Sequence, residues 1–181
     1  MANCSHTHLA AFVVVSAAML LPAIRLAAVE PEPLHLHLNM HDMVTGPDAT
    51  AAEVVNGKEN PSRLGKIVVM DDPMTEDLDI DSPAVGRAQG FYVFAALNAP
   101  ALLFSMNLVL VSAAAGPYNR STVAVMGRDD FTRLQVRELP VVGDTGRFRM
   151  ARGYALVRTA RQHGKNAVLE IDLFVHASQS V

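Results

Sequence analysis

Alternating apolar and polar residues recur along most of this chain, which is the pattern of half-buried β-strands rather than of amphipathic helices. Short clusters of Gly, Pro, Asn and Asp separate the alternating segments and are typical of turns. Eight strands joined in order by short connections predict an all-β fold, an eight-stranded antiparallel up-and-down β-barrel, because closing the sheet leaves no unpaired edge. The predicted strands are Leu34–Met43, Gly65–Asp71, Ala84–Ala96, Leu102–Ser112, Ser121–Gly127, Arg133–Val142, Phe148–Thr159 and Ala167–Ala177.

Two segments between these strands are predicted to be loops. Residues 44–64 show no strand pattern and would cross one end of the barrel, and the acidic residues 72–82 would form the second loop. An eight-stranded barrel has an interior just wide enough for packed side chains or for one small ligand. One face of the strand that begins at Ala84 changes from small residues to Tyr92 and Phe94. That face would be an aromatic cavity wall if it points inward, or a site of close subunit approach if it points outward.

The first residues of the chain carry the pattern of a secretory signal. An uncharged apolar run, residues 9–21, is too short to span a bilayer comfortably and is followed by Pro22, Arg25 and the small pair Ala27-Ala28. We predict a signal peptide over residues 1–28 and one domain over residues 29–181. A membrane anchor is the alternative, and Pro22 and Arg25 argue against it because they interrupt the apolar run.

Removing the signal changes the charge and the cysteine content. The full chain has 15 Lys and Arg, 18 Asp and Glu and one Cys. Loss of Arg25 and Cys4 leaves a net charge of −4 and no cysteine. A mildly acidic domain without a basic stripe is a poor partner for nucleic acid, and without cysteine it has neither disulfides nor thiol chemistry. The sequon at Asn119 predicts glycosylation if the chain enters the secretory pathway.

Two charged residues share strand faces with apolar residues. Asp42 has the parity of Leu36 and Leu38, and Arg152 has the parity of Phe148 and Tyr154. A buried unpaired charge costs several kcal/mol, so such residues normally have a partner or a task. We therefore predict that Asp42 and Arg152 point into the barrel and form the polar end of a small-molecule pocket. The alternative is a structural salt bridge that closes the barrel.

Other residues are weaker candidates for a functional role. Phe104 is a core residue or at best a ring in the cavity wall. His35, His37 and His41 share the face opposite the apolar one, which is expected to be wet, and no carboxylate lies at a suitable spacing nearby in the sequence. We therefore predict no metal site. The sequence also lacks a Gly-x-Ser-x-Gly nucleophile motif and a phosphate-binding loop.

Six motifs in order resemble the plant dirigent proteins, over about residues 34–175. The resemblance implies an eight-stranded antiparallel barrel that forms homotrimers or homodimers and is secreted to the plant apoplast. The motifs are Met40–Asp42, Gly65–Thr75, Val85–Tyr92, Tyr118–Val123, Arg137–Gly143 and Arg147–Ala155.

The resemblance also implies a function. Dirigent proteins hold phenoxy radicals, such as those of the monolignol coniferyl alcohol, so that coupling gives one stereoisomer; a laccase or peroxidase makes the radicals, and no cofactor is needed. Tyr92 and Phe104 would then contact substrate. Asp144 replaces a glycine of the usual Gly-Gly-Thr-Gly turn and would add a carboxylate near the pocket mouth.

Two further functions stay open. Some relatives act as lyases or cyclases on quinone-methide-type intermediates, in which case Asp42 would be the proton donor and Arg152 would orient it. The third possibility is a non-catalytic cell-wall protein involved in lignin deposition or defence.

Overall fold

A computed structural model of the protein describes residues 32–176, and the predicted signal peptide over residues 1–28 lies outside the described residues. The described residues form an antiparallel sheet with two short 3-10 helices, Ala113–Tyr118 and Gly146–Phe148. The strands are β1 (Leu34–Asp42), β2 (Ala51–Val55), β3 (Ile67–Thr75), β4 (Ala84–Phe94), β5 (Leu102–Leu110), β6 (Ser121–Asp129), β7 (Val136–Thr145), β8 (Arg152–His163) and β9 (Asn166–His176).

The sheet closes into the predicted eight-stranded barrel. From β3 to β9 each strand pairs with the next one in the chain. Strand β1 pairs with β9 over its whole length and with β3 at Asn39↔Thr75 and Met40↔Met74. The predicted fold class is therefore confirmed. No helix within residues 32–176 is long and apolar enough to cross a membrane.

The prediction that residues 44–64 contain no strand is wrong. Strand β2 lies in this segment and pairs with the first half of β3, through Ala51↔Met70 and Glu53↔Val68. Strand β1 pairs with β3 only at Met74 and Thr75, near the end of β3, and β2 pairs with the beginning of the same edge of β3. Alternation could not reveal β2 because its last two residues, Val54 and Val55, are both exposed.

Strand β8 begins later than predicted, and this changes which residues face inward. Residues 146–148 form a 3-10 turn, and Met150 has a φ of 63° with its side chain 77% exposed. Strand β8 therefore starts at Arg152, with Ala155 and Val157 buried and Tyr154 exposed. The inward orientation predicted for Arg152 is wrong, because the turn interrupts the strand periodicity on which that prediction rested.

The two ends of the barrel differ. At the open end, β1, β4, β6 and β8 finish and β3, β5, β7 and β9 begin. The opposite, packed end is filled by fully buried side chains, and Tyr118 stacks on Phe148 there with 5.3 Å between ring centroids. A small cavity of about 130 Å³ beside Tyr118 remains at this end. The large side chains toward the packed end include Met74, Leu108, Leu110, Val123, Phe148 and Leu173.

Candidate functional site

A cavity of about 290 Å³ occupies the open end of the barrel. This volume is near the lower limit of typical small-molecule sites and suits a single small ligand. Its wall combines aromatic rings with charged groups. The inward-facing residues near the packed end are mostly aliphatic, whereas several of those near the open end are polar. The charged and aromatic side chains of this wall include Asp42, Glu53, Arg63, Lys66, Tyr92, Phe94, Phe104, Asp129, Arg137 and Lys165.

The aromatic wall comes from two neighbouring strands. Tyr92 and Phe94 alternate inward on β4, and Phe104 lies directly opposite Tyr92 on β5. The Tyr92 and Phe104 rings stack with centroids 5.3 Å apart, and Phe94 approaches the edge of Tyr92 at 6.5 Å. Of the two interpretations of this strand face, the structure thus places the rings inside the barrel. Such a wall provides flat apolar surfaces against which an aromatic ligand can stack.

Asp42 is the last residue of β1 and is only 8% exposed. The Tyr92 hydroxyl donates a hydrogen bond of 3.1 Å to Asp42 Oδ2. Burial raises the pKa of Asp42 to about 6, and the bond from Tyr92 offsets only part of that effect. The carboxyl therefore changes protonation state near neutrality, which is the range in which a general acid or base is most useful.

A second buried carboxyl, Asp72, was missed by the sequence analysis. The β1–β3 register, continued by two residues, places Asp72 opposite Asp42, and Asp72 is 0% exposed. Thr50 Oγ1 donates a hydrogen bond of 2.6 Å to Asp72 Oδ1. The pKa of Asp72 is raised to about 7, mainly by burial and to a smaller extent by the nearby charge of Asp42.

One oxygen of each carboxyl lacks a hydrogen-bond partner among the described residues: Asp42 Oδ1 and Asp72 Oδ2. A buried carboxylate oxygen without a partner favours the protonated form of its group. Since the charge on one carboxyl opposes ionisation of the other, the two titrate as a coupled pair. The pair thus retains at least one proton over part of the range where an isolated aspartate is fully ionised.

Arg137 is the more deeply buried of two buried cations at the cavity, the other being Lys66, and it was not among the residues predicted from the sequence. Its Nε donates a 2.9 Å hydrogen bond to Asp129 Oδ1, and both side chains are 2% exposed. Arg137 Nη2 donates to Thr159 Oγ1 at 3.1 Å, and Nη1 donates to the Gln135 carbonyl at 3.2 Å. Arg137 alternates with the inward Leu139 on β7, so the parity argument applied to Asp42 would have found it.

Neither Arg152 nor Asp144 lies at this cavity. Arg152 pairs with His176 at one end of β9, while Asp42 pairs with Ala167 at the other, which separates them by roughly 30 Å along the strand. The predicted Asp42–Arg152 pair is therefore absent, both as a pocket element and as a salt bridge. Asp144 pairs with Val123 near the packed end, so its predicted position near the mouth is wrong.

The three histidines of β1 lie in two different environments. His35 Nε2 and His37 Nδ1 each donate to Asp172 Oδ1 at 2.9 Å on the outer face, and Arg158 donates to Oδ2 at 2.6 Å. Burial alone would raise the pKa of Asp172, but these bonds outweigh it and lower the pKa to about 2. His41 is buried rather than wet, and its Nε2 lies 2.7 Å from Thr75 Oγ1.

Within residues 32–176, no cluster of three or more His, Cys, Asp or Glu side chains is arranged to hold a metal ion. Asn119, the predicted glycosylation site, is exposed between the first 3-10 helix and β6. Its position leaves the side chain open to solvent.

Comparison with known proteins gives a consistent result. The family model described as "Dirigent-like protein" matches residues 34–176. Dirigent protein 1 of Arabidopsis thaliana is 42% identical over 144 residues, which cover 78% of this chain and 77% of the relative. Pterocarpan synthase 1 of Glycine max is 38% identical over 147 residues, with coverage of 78% and 77%.

The solved structures agree with the sequence relatives. The structure of the pterocarpan synthase dirigent protein PsPTS1 superposes with a TM-score of 0.76 at 34% identity, covering 83% of this chain and 99% of that one. The residues matched by the family model, 34–176, include all the strands described above. The chain therefore belongs to the dirigent protein family.

Proposed function

We propose that the protein binds a phenolic intermediate in the open-end cavity and directs its conversion into one stereoisomer. The observation that carries this proposal is the buried Asp42 carboxyl, hydrogen-bonded to Tyr92 inside a cavity walled by aromatic rings. Membership of the dirigent family supports it independently. The wall would hold the ring of the ligand by stacking, and Asp42 with Tyr92 would fix its phenolic oxygen.

Stereoselectivity of this kind requires little energy. Binding removes the freedom that a reactive intermediate in solution would distribute over several reaction modes. A difference of about 1.4 kcal/mol between competing transition states already gives a tenfold preference. A few contacts to the Tyr92 and Phe104 rings are enough to supply that difference.

Two reactions fit the cavity. In the first, the protein orients phenoxy radicals derived from phenylpropanoids such as coniferyl alcohol during lignan or lignin formation. A separate laccase or peroxidase removes the electrons, and two radicals combine into one new bond. In this reaction the protein needs no redox group or cofactor of its own, only a surface that presents one face of the bound radical.

In the second reaction, the protein is a lyase or cyclase acting on a quinone-methide-type phenolic intermediate. Asp42 would protonate the hydroxyl whose C–O bond breaks to release water and give the quinone methide, and would take back the proton of the hydroxyl that forms the new C–O bond. The pKa of Asp42, about 6, favours this reaction, because radical coupling makes no use of an acid. Relatives named pterocarpan synthase, at 38% identity, support it as well.

Export and self-association complete the proposal. The signal-like N-terminus and the exposed Asn119 support secretion to the apoplast with glycosylation there. Val69 on β3 and Phe91 on β4 are exposed apolar neighbours, and the exposed Met126 on β6 continues the same row beyond Ser105 of β5. Burial of this strip in a homotrimer or homodimer would remove it from water. Light scattering coupled to size exclusion would give the subunit number.

One experiment separates the candidate functions. The purified protein is added to a laccase with coniferyl alcohol, and separately to an isolated intermediate that cyclises by acid catalysis; products are resolved by chiral chromatography. An excess of one enantiomer in the first reaction supports radical coupling. Faster, selective cyclisation in the second supports the lyase or cyclase. Racemic products at the protein-free rate in both would contradict the proposal and leave the non-catalytic wall protein.

A further inference from the structure

The side chains that line the open-end cavity carry more basic than acidic groups, whereas the chain as a whole carries more acidic than basic residues. The chain as a whole has 15 basic and 18 acidic residues. The cavity wall has four basic side chains and three carboxyls, and one of these carboxyls, Asp42, is protonated over part of the neutral range. Arg137 and Asp129 neutralise each other. The excess positive charge therefore lies on the remaining basic residues, Arg63, Lys66 and Lys165.

Lys66 is an unusual residue for a structural ion pair, because its side chain is only 8% exposed. Its ammonium lies 2.6 Å from Glu53 Oε1, and the Lys165 ammonium lies 2.7 Å from the same oxygen. One carboxylate thus serves two cations, and these contacts hold the pKa of Glu53 below its usual range. Each ammonium has three donors, so one shared oxygen does not saturate them.

Arg63 adds a third cation at this mouth. It is exposed, and no carboxylate among the described residues lies within ion-pair distance of its guanidinium. The guanidinium carbon lies 5.7 Å from the centroid of the Phe94 ring, and the Lys66 ammonium lies 5.7 Å from the same centroid. The two cations are therefore both held at the ring of Phe94, on which they make cation–π contacts.

We propose that Arg63, Lys66 and Lys165 form a carboxylate-binding subsite at the cavity mouth, so that the preferred ligand is a phenol bearing a carboxylate on a short side chain. This inference rests on the proposed function and names its substrate class. A single anionic group would share the donors that Glu53 leaves unsaturated. Arg63 would contribute a planar pair of donors, which suits a carboxylate.

The spacing of the subsite agrees with such a ligand. The Lys66 backbone is hydrogen-bonded to Phe94, where Phe94 N–H donates to the Lys66 carbonyl at 2.9 Å. Phe94 is two residues from Tyr92, which corresponds to about 7 Å along the strand. Tyr92, which contacts Asp42, and Lys66 thus occupy successive positions along the cavity wall, so a ligand with a phenol at one end and a carboxylate at the other could contact both.

A matched ligand pair tests the inference. We would measure the binding of 4-hydroxy-3-methoxycinnamic acid and of coniferyl alcohol by isothermal titration calorimetry at pH 5.5. The two have the same ring and the same side-chain length and differ in carboxylate against hydroxymethyl. At this pH most of the ligand carboxyl is ionised while Asp42 remains largely protonated. We expect the acid to bind at least about tenfold more tightly, and added salt to reduce this preference.

The exposed Arg63 provides a variant that should fold normally. Arg63→Gln is expected to weaken binding of the acid about fivefold or more and to leave binding of the alcohol unchanged. The control is Arg149→Gln, which removes an exposed arginine near the packed end and should change neither affinity.

The outcomes separate the inference from the proposed function. Equal affinity for the two ligands, tighter binding of the alcohol, or an equal effect of Arg63→Gln on both would overturn the carboxylate subsite and leave the phenolic cavity intact. Binding of neither ligand would overturn both.

Discussion

The two ends of this barrel are built from the same strands but differ in the side chains that face the interior. Toward the packed end the inward positions carry Leu108, Leu110 and Val123, with Phe148 against them, whereas the open end carries Asp42, Tyr92 and Arg137. Strands β4 and β5 pair from one end of the barrel to the other, and so do β8 and β9, so the same strands carry both kinds of inward side chain. The difference shows that a barrel becomes a binding site through the choice of inward side chains at one end of an otherwise ordinary sheet.

The packed end also makes the open end possible. Burying ionised or polar groups costs free energy, and at the open end Asp42, Asp72 and the Arg137–Asp129 pair are all buried. Full burial of large apolar side chains stabilises a fold by about 1.5–3 kcal/mol each. We infer that the packed end supplies stability that the open end lacks, and this division can be tested by changing each end separately.

The largest expected effect on stability comes from the packed end. Phe148→Ala should lower the free energy of unfolding by about 3–5 kcal/mol, because the fully buried ring leaves a cavity and Tyr118 loses its stacking partner. Urea denaturation followed by circular dichroism would measure this. The control is Met150→Ala, whose exposed side chain should contribute less than about 0.5 kcal/mol. A small effect of Phe148→Ala would mean that stability is not concentrated at this end.

The largest expected effect on function comes from the open end. Asp42→Asn should slow turnover of an acid-dependent cyclisation intermediate by about 100-fold or more, since the amide cannot donate a carboxyl proton. Initial rates with the isolated intermediate would measure this. Glu138→Gln removes a carboxylate from an exposed position of β7 and is the matched control. Unchanged rates in Asp42→Asn would reject the acid role and leave orientation of radicals as the function of the cavity.

Asp72 is expected to make stability fall with rising pH. Native Asp42 and Asp72 retain protons up to about pH 6 and 7, whereas in the unfolded chain they release them near pH 4. Since the native state then binds more protons, the free energy of unfolding should fall between pH 5 and pH 7.5, by about 2–4 kcal/mol for the pair. Denaturation of Asp72→Asn at both pH values should show roughly one third of that difference, because Asp72 has the larger pKa shift. An unchanged pH dependence would mean that Asp72 does not carry a raised pKa.

The smallest expected effect comes from the outer face of β1. His37→Gln should change the free energy of unfolding by less than about 1 kcal/mol, because His37 is partly exposed and Asp172 keeps its bonds from His35 and Arg158. Thermal unfolding would measure this, and product selectivity should not change. A loss of selectivity in this variant would show that the function is not confined to the open end.

Several features of the fold were predictable because they depend on local periodicity. The parity of β1 continues without interruption from Leu34 to Asp42, so Asp42 was placed correctly inside the barrel. The same reasoning failed for Arg152 because residues 146–151 turn before β8 begins. It missed β2, whose five residues do not alternate in burial.

The rest of the site depends on contacts between distant segments. Asp72 becomes a partner of Asp42 only because β1 pairs with β3 across the barrel closure, which no local pattern records. Lys66 and Lys165 are about 100 residues apart and meet only at Glu53. Asp144 was assigned to the wrong end because β7 runs away from the cavity over its length.

The most direct test of this account is a crystal structure of the protein with a phenolic ligand bound. We expect the ligand ring against Tyr92 and Phe104 in the open-end cavity, with its phenolic oxygen within about 3 Å of Asp42 or Tyr92. Density for the ligand beside Tyr118 at the packed end or on the outer face, with the open-end cavity holding only water, would contradict it.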